Sequence, residues 1–72
     1  MILIQTTQTL GKLIKETRKS QELTQEQLAS LSGVGRRFIS DLEAGKKSCH
    51  LDKTLSVVAM LGLELHLHER GE

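Results

Sequence analysis

The chain is poor in the features that mark several functional classes. Its single cysteine, Cys49, excludes an internal disulfide framework and fits a reducing compartment. Phe38 is its one Phe/Tyr/Trp side chain, too little to build a stacking surface for RNA or single-stranded nucleic acid. No apolar run approaches the length of a membrane span. The opening Met1-Ile2-Leu3-Ile4 lacks both the charged start and the length of a signal peptide, so a cytoplasmic location is expected. No nucleophile–base–orienter set, glycine-rich phosphate loop or paired carboxylate site is visible, and a core this small has nowhere to sequester a reaction. The expectation is a non-enzyme without a cofactor.

Seventy-two residues allow one domain, 1–72, and such short chains are often marginal alone, so oligomerisation is expected. The net charge of +1 does not announce a polyanion partner, but its distribution is uneven. Arg36, Arg37, Lys46, Lys47 and Lys53 cluster against Asp41, Glu43 and Asp52, whereas the segment from Gly62 on is acidic apart from Arg70. One side suits phosphates and the other is turned elsewhere.

Residues 23–47 organise the rest. Thr24 reads as an N-cap, and Gln27 three residues later completes a capping box. Leu28, Ala29 and Leu31 supply the apolar groups of a short helix that stops at Ser32-Gly33, where glycine can take the left-handed turn. Val34 re-enters the core, and Ile39 and Leu42 form the inward face of a second helix. Its outward face carries Gly35, Arg36, Arg37, Ser40 and Asp41. Short helix, glycine turn and polar-fronted helix, spanning 24–44, make the arrangement of a DNA-binding helix-turn-helix. The fold expected is all-α: a compact four-helix, repressor-like domain.

Upstream, Leu10, Leu13, Ile14 and Thr17 fall on one stripe of an amphipathic helix that starts from a cap among residues 6–9 and ends near Ser20-Gln21. Downstream, Gly45 ends the recognition helix. Asp52 reads as the cap of a fourth helix whose core face holds Leu55, Val58, Ala59 and Leu61, and Gly62 stops it. Residues 63–68 then alternate strictly, Leu63, Leu65 and Leu67 against Glu64, His66 and His68. That is the pattern of a half-buried β-strand, and a lone strand needs a partner. The candidates are residues 1–5 of the same chain or the same strand of a second copy. His66 and His68 share a face, with Cys49 and His50 elsewhere. No third and fourth ligand stand at zinc spacing, so no metal site is expected.

The string Arg18…Leu23-Thr24-Gln25…Leu28-Ala29…Gly33-Val34…Ile39-Ser40…Leu42-Glu43-Ala44-Gly45-Lys46 resembles the Cro/phage-repressor (XRE-type) family over about residues 10–63. Among its short members, the tail is most similar to the HipB-type antitoxins, whose terminal strand pairs between two subunits. The resemblance implies a sequence-specific repressor that binds a double-stranded DNA operator with inverted repeats as a homodimer. It further implies an antitoxin that binds a HipA-like kinase toxin and represses its own promoter. A stand-alone phage-type repressor, or an adaptor that has lost DNA binding, are the alternatives.

Residue by residue, the resemblance makes Arg36 or Arg37, beside Gly35, a reader of base edges, guanine O6 and N7 being the targets that suit arginine. Asp41 either accepts from a cytosine amino group or pairs with Arg37. Ser40, on the same face, is small where the preceding helix crosses. Thr24 and Gln25 are the phosphate contacts at a helix N-terminus, and Lys46, Lys47 and Ser48 touch the backbone beyond the recognition helix. Arg18 and Glu43 form a structural ion pair, and Leu63, Leu65 and Leu67 are the dimerisation residues.

Overall fold

The structure, a computed structural model, describes residues 2–71. Thr6 sits in extended conformation and its hydroxyl accepts the Thr9 N–H at 3.1 Å, which starts α1, Thr7–Ser20. The capping box forms at Thr24: its Oγ1 accepts the Gln27 N–H at 3.0 Å, while its own N–H donates to Gln27 Oε1 at 2.8 Å. This opens α2, Gln25–Ser32. Gly35 caps α3, Arg36–Glu43, without a side-chain bond, and His50 likewise precedes α4, Leu51–Met60.

All four helices close with the same pair of backbone bonds. At α2, Val34 N–H reaches Ala29 O at 3.0 Å and Gly33 N–H reaches Ser30 O, with Gly33 at φ 71°. The chain can therefore reverse in two residues and set α3 across α2. Equivalent bonds end α3 at Gly45 and α4 at Gly62. The end of α1 is different, because Glu22 takes the left-handed position at φ 59°.

The core holds one fully buried residue from each helix: Ile14, Leu28, Ile39 and Val57. Ala29, Leu42, Val58 and Leu61 complete it, with Leu10, Leu23, Val34, Phe38, Cys49 and Leu63 packed around. α2 packs on α3 and α4, and α1 on α3. Among the described residues no helix is long and apolar enough to cross a membrane.

Several details depart from the sequence reading. Asp52 lies inside the first turn of α4 and caps nothing, since the helix begins at Leu51. Its buried face is Thr54, Val57, Val58 and Leu61, so Leu55 and Ala59 point outward. Thr54 passes as core because its hydroxyl donates to His50 O at 2.9 Å, so its own buried oxygen is paired. Leu31 is exposed, as is Ser40, which has no packing role against α2. Residues 63–68 run on from α4 with no ladder partner among the described residues, and residues 2–5 form none with them either. Met1, named above with that segment, lies outside the described residues.

Candidate nucleic-acid interface

A recognition helix is useful only if its scaffold holds it rigidly, and here one carboxylate holds three helices. Glu43, at the end of α3, has a side chain only 3% exposed. It accepts from Arg18 Nε at 2.6 Å and Nη2 at 3.0 Å, and from Gln25 Nε2 at 3.1 Å. The third guanidinium nitrogen, Arg18 Nη1, donates to Leu23 O at 2.7 Å, so the loop before α2 is tied to the same hub. Paired this way on both oxygens, a buried charge is tolerable, and bidentate geometry fixes orientation as well as distance.

Two close approaches complete the frame. Gly11, buried in α1, lies where an added Cβ would collide with the Leu42 carbonyl oxygen and come within 2.8 Å of that of Glu43. α1 thus rides directly on the carbonyl end of α3, which no residue larger than glycine permits. Thr7 Oγ1 then donates to Gly45 O at 2.7 Å, and a Cβ on Gly45 would lie 2.9 Å from the Gln8 Cα. Gln21 Nε2 ties the end of α1 to Leu61 O at 2.8 Å. Gly11 and the long-range bonds of Thr7 and Gln21 are not among the features expected from the sequence. The signal for Gly11 was its place inside an amphipathic helix, where glycine costs about 1 kcal/mol against alanine and so calls for a packing reason.

On this frame the outward face of α3 is left to solvent. Arg36, Arg37 and Ser40 are exposed, and neither guanidinium has an ion-pair partner among the described residues. Asp41 is half-buried and meets Lys46 Nζ at 3.5 Å, rather than Arg37. Gly35 has open space where its Cβ would be, and its φ of −78° suits any residue. Nothing within the chain demands glycine there. Lys46, Lys47 and Ser48 continue the face as exposed residues of the loop before α4. Phe38 faces the other way, packed on the core with Lys53 Nζ 5.9 Å from its ring centre.

At the start of α2 the capping box occupies the N–H groups of Thr24 and Gln27, leaving those of Gln25 and Glu26 as the outward donors. Gln25 itself is half-buried, and its amide is engaged by Glu43. Leu63 is half-buried on the core, but Leu65 and Leu67 are 52% and 92% exposed. His66 Nε2 lies 3.4 Å from Glu64 Oε1 and its ring stacks on that of His68. No group of three or more metal-ligating side chains occurs among the described residues. Chemically the arrangement is a donor-rich, solvent-facing row on a short helix that the Glu43 hub holds in place.

The helix-turn-helix family profile matches residues 14–65. The chain is 44% identical over 69 residues to an uncharacterized HTH-type transcriptional regulator, y4mF, of Sinorhizobium fredii, covering 96% of this chain and 91% of that one. It is 42% identical over 64 residues to the ImmF control region 10 kDa protein of Bacillus phage phi105, covering 88% and 70%. Among solved structures, a chain of the HipA-HipB-O2-O3 complex superposes with a TM-score of 0.88 over 97% of this chain and 99% of that one, at 23% identity, a likeness of fold.

Proposed function

This chain belongs to the XRE-type helix-turn-helix family of DNA-binding transcriptional regulators, and from that premise we propose that it is a homodimeric, sequence-specific repressor of its own operon. The observation that carries the reading is the solvent-facing row of Gly35, Arg36, Arg37 and Ser40 on α3, continued by Lys46, Lys47 and Ser48. At about 1.5 Å per residue, the eight residues of α3 make a rod short enough to enter a major groove end-on, with its N-terminal side chains at the base edges. Arg36 or Arg37 donates in bidentate fashion to guanine, and Gly35 keeps the helix start low enough to let the backbone approach. Asp41 offers its carboxylate to a cytosine amino group once Lys46 turns to a phosphate. Thr24, Gln25, Lys46, Lys47 and Ser48 hold the phosphates on either side. The pairing of Gln25 with Glu43 supports a positioning role for its side chain, with its backbone N–H facing the phosphate.

A twofold dimer presents two such helices to successive major grooves about 34 Å apart, so the operator is an inverted repeat. The alternating tail, through Leu63, Leu65 and Leu67, is the dimer contact.

The fold shared with HipB, seen in complex with HipA, supports the finer reading: an antitoxin that binds a kinase-like toxin in the cytoplasm and represses the shared promoter. The phage relative supports a second reading, a stand-alone phage-type repressor with no toxin partner. Footprinting on the protein's own upstream region, and co-expression with the adjacent gene, test both. Protection of an inverted repeat with a co-eluting neighbour supports the antitoxin, and protection alone supports the lone repressor. No protected site anywhere in that region refutes autorepression.

A further inference from the structure

Between residues 2–4 and residues 63–68 runs an open groove of about 530 Å³, floored by Leu10, Leu13 and Val58. Both walls lie outside the helices, and apart from the Leu63 N–H, which donates to Val58 O, residues 2–5 and 63–68 make no backbone–backbone bond among the described residues, so no ladder joins them across the groove. Ile2 and Leu3 are 58% and 75% exposed on one wall, Leu65 and Leu67 on the other. A backbone left unpaired on both sides of an apolar slot is shaped for an inserted strand.

We propose that the occupant is residues 63–68 of a second copy of this chain, so that the N-terminal segment 2–5 is part of the dimer interface. The inference rests on the dimer reading above and adds a second wall to it. The tail is complementary to itself. Antiparallel pairing about Leu65 sets Leu63 opposite the second copy's Leu67 and Leu65 opposite its own counterpart, all on one face, with Glu64 opposite His66 on the other. Shifting the register by two residues sets like against like on the polar face, His66 opposite its own counterpart in one direction and Glu64 opposite its own in the other, and a shift by one would put leucines against polar residues. The register centred on Leu65 is therefore the one that sets each Glu64 against a histidine with no like pair on that face.

One pairing edge satisfies only half of an inserted strand's backbone. Its other edge faces residues 2–5 of the receiving chain, whose Ile2 and Ile4 alternate with Leu3 and Gln5. By symmetry the assembly is a four-stranded sheet in the order N-segment, partner tail, tail, partner N-segment. It roofs the grooves of both subunits and leaves only the short N-terminal segments as edges.

The test compares three proteins by sedimentation equilibrium and by circular dichroism: the parent, Ile2→Asp/Ile4→Asp, and a chain truncated after Gly62. Residues 2–5 lie outside the helical core, so the double variant keeps the parent's helical signal. Its dimer dissociation constant should rise at least tenfold, and the backbone N–H of Leu3 or Gln5 should lose, in the variant, protection from hydrogen exchange that the parent dimer shows. An unchanged dissociation constant in the double variant, with a monomeric truncated chain, overturns the role of the N-terminal segment while leaving the tail as the dimer contact. A truncated chain that stays dimeric at micromolar concentration overturns the tail itself, and the inserted strand with it.

Discussion

Glu43→Ala removes the acceptor on which three helices converge, and the structure says what is left behind. Arg18, 7% exposed, keeps its charge while its Nε and Nη2 lose their partners, and Gln25 Nε2 loses its own. Breaking one side of a buried ion pair costs about 3–5 kcal/mol, because the remaining charge stays desolvated without compensation. A domain of this size has about 4–11 kcal/mol of stability in total, at roughly 0.05–0.15 kcal/mol per residue. Between about a quarter of that margin and all of it should go. The informative control is Arg18→Met/Glu43→Leu, which removes both charges together. Apolar replacement of a whole pair is often neutral or better, although the Leu23 carbonyl left without Arg18 Nη1 keeps a cost of about 1–3 kcal/mol. The double variant should therefore be more stable than Glu43→Ala alone. Urea denaturation followed by circular dichroism, at one fixed protein concentration because the proposed dimerisation would add to apparent stability, measures all three. A loss below about 1 kcal/mol for Glu43→Ala, or a double variant no better than the single one, refutes the hub.

Gly11→Ala should destabilise by about 1–3 kcal/mol despite alanine's better helix propensity, since its methyl meets the carbonyls of Leu42 and Glu43; thermal unfolding checks the sign. Glu22→Gly should stabilise by about 0.5–1 kcal/mol, because Glu22 occupies the left-handed position that glycine fills at the other three helix ends. A lower melting temperature for that variant would count against the strain assigned there.

What was legible in the sequence is what neighbours along the chain decide. Thr24 with Gln27, and Gly33 with its two backbone bonds, are complete within a few residues, so α2 and its turn are readable from the string. α4 was misread by local logic: Asp52 looks like a cap, but the loop from Gly45 delivers the chain so that Leu51 already starts the helix. The apolar stripe then turns, and Thr54, polar by name, goes inside by bonding to His50. Gly11 stands out in the sequence only as a costly residue, for another reason. Propensity counts glycine in a helix as a defect, and only the tertiary approach of α3, about thirty residues on, supplies its purpose. Arg18 and Glu43 are 25 residues apart, so no periodicity joins them. The tail's alternation is plain, but alternation marks a strand without naming its partner.

The central claim, that the exposed face of α3 reads bases, is tested most directly by binding measured against sequence and salt together. Fluorescence anisotropy would compare the parent, Arg36→Ala, Arg37→Ala and Lys46→Ala on the footprinted duplex and on a random one. At least one arginine variant should lose about 1–3 kcal/mol of preference per half-site while retaining non-specific binding. Lys46→Ala should weaken both duplexes alike and flatten the salt dependence. If both arginine variants distinguish operator from random DNA as the parent does, α3 is not the reading helix.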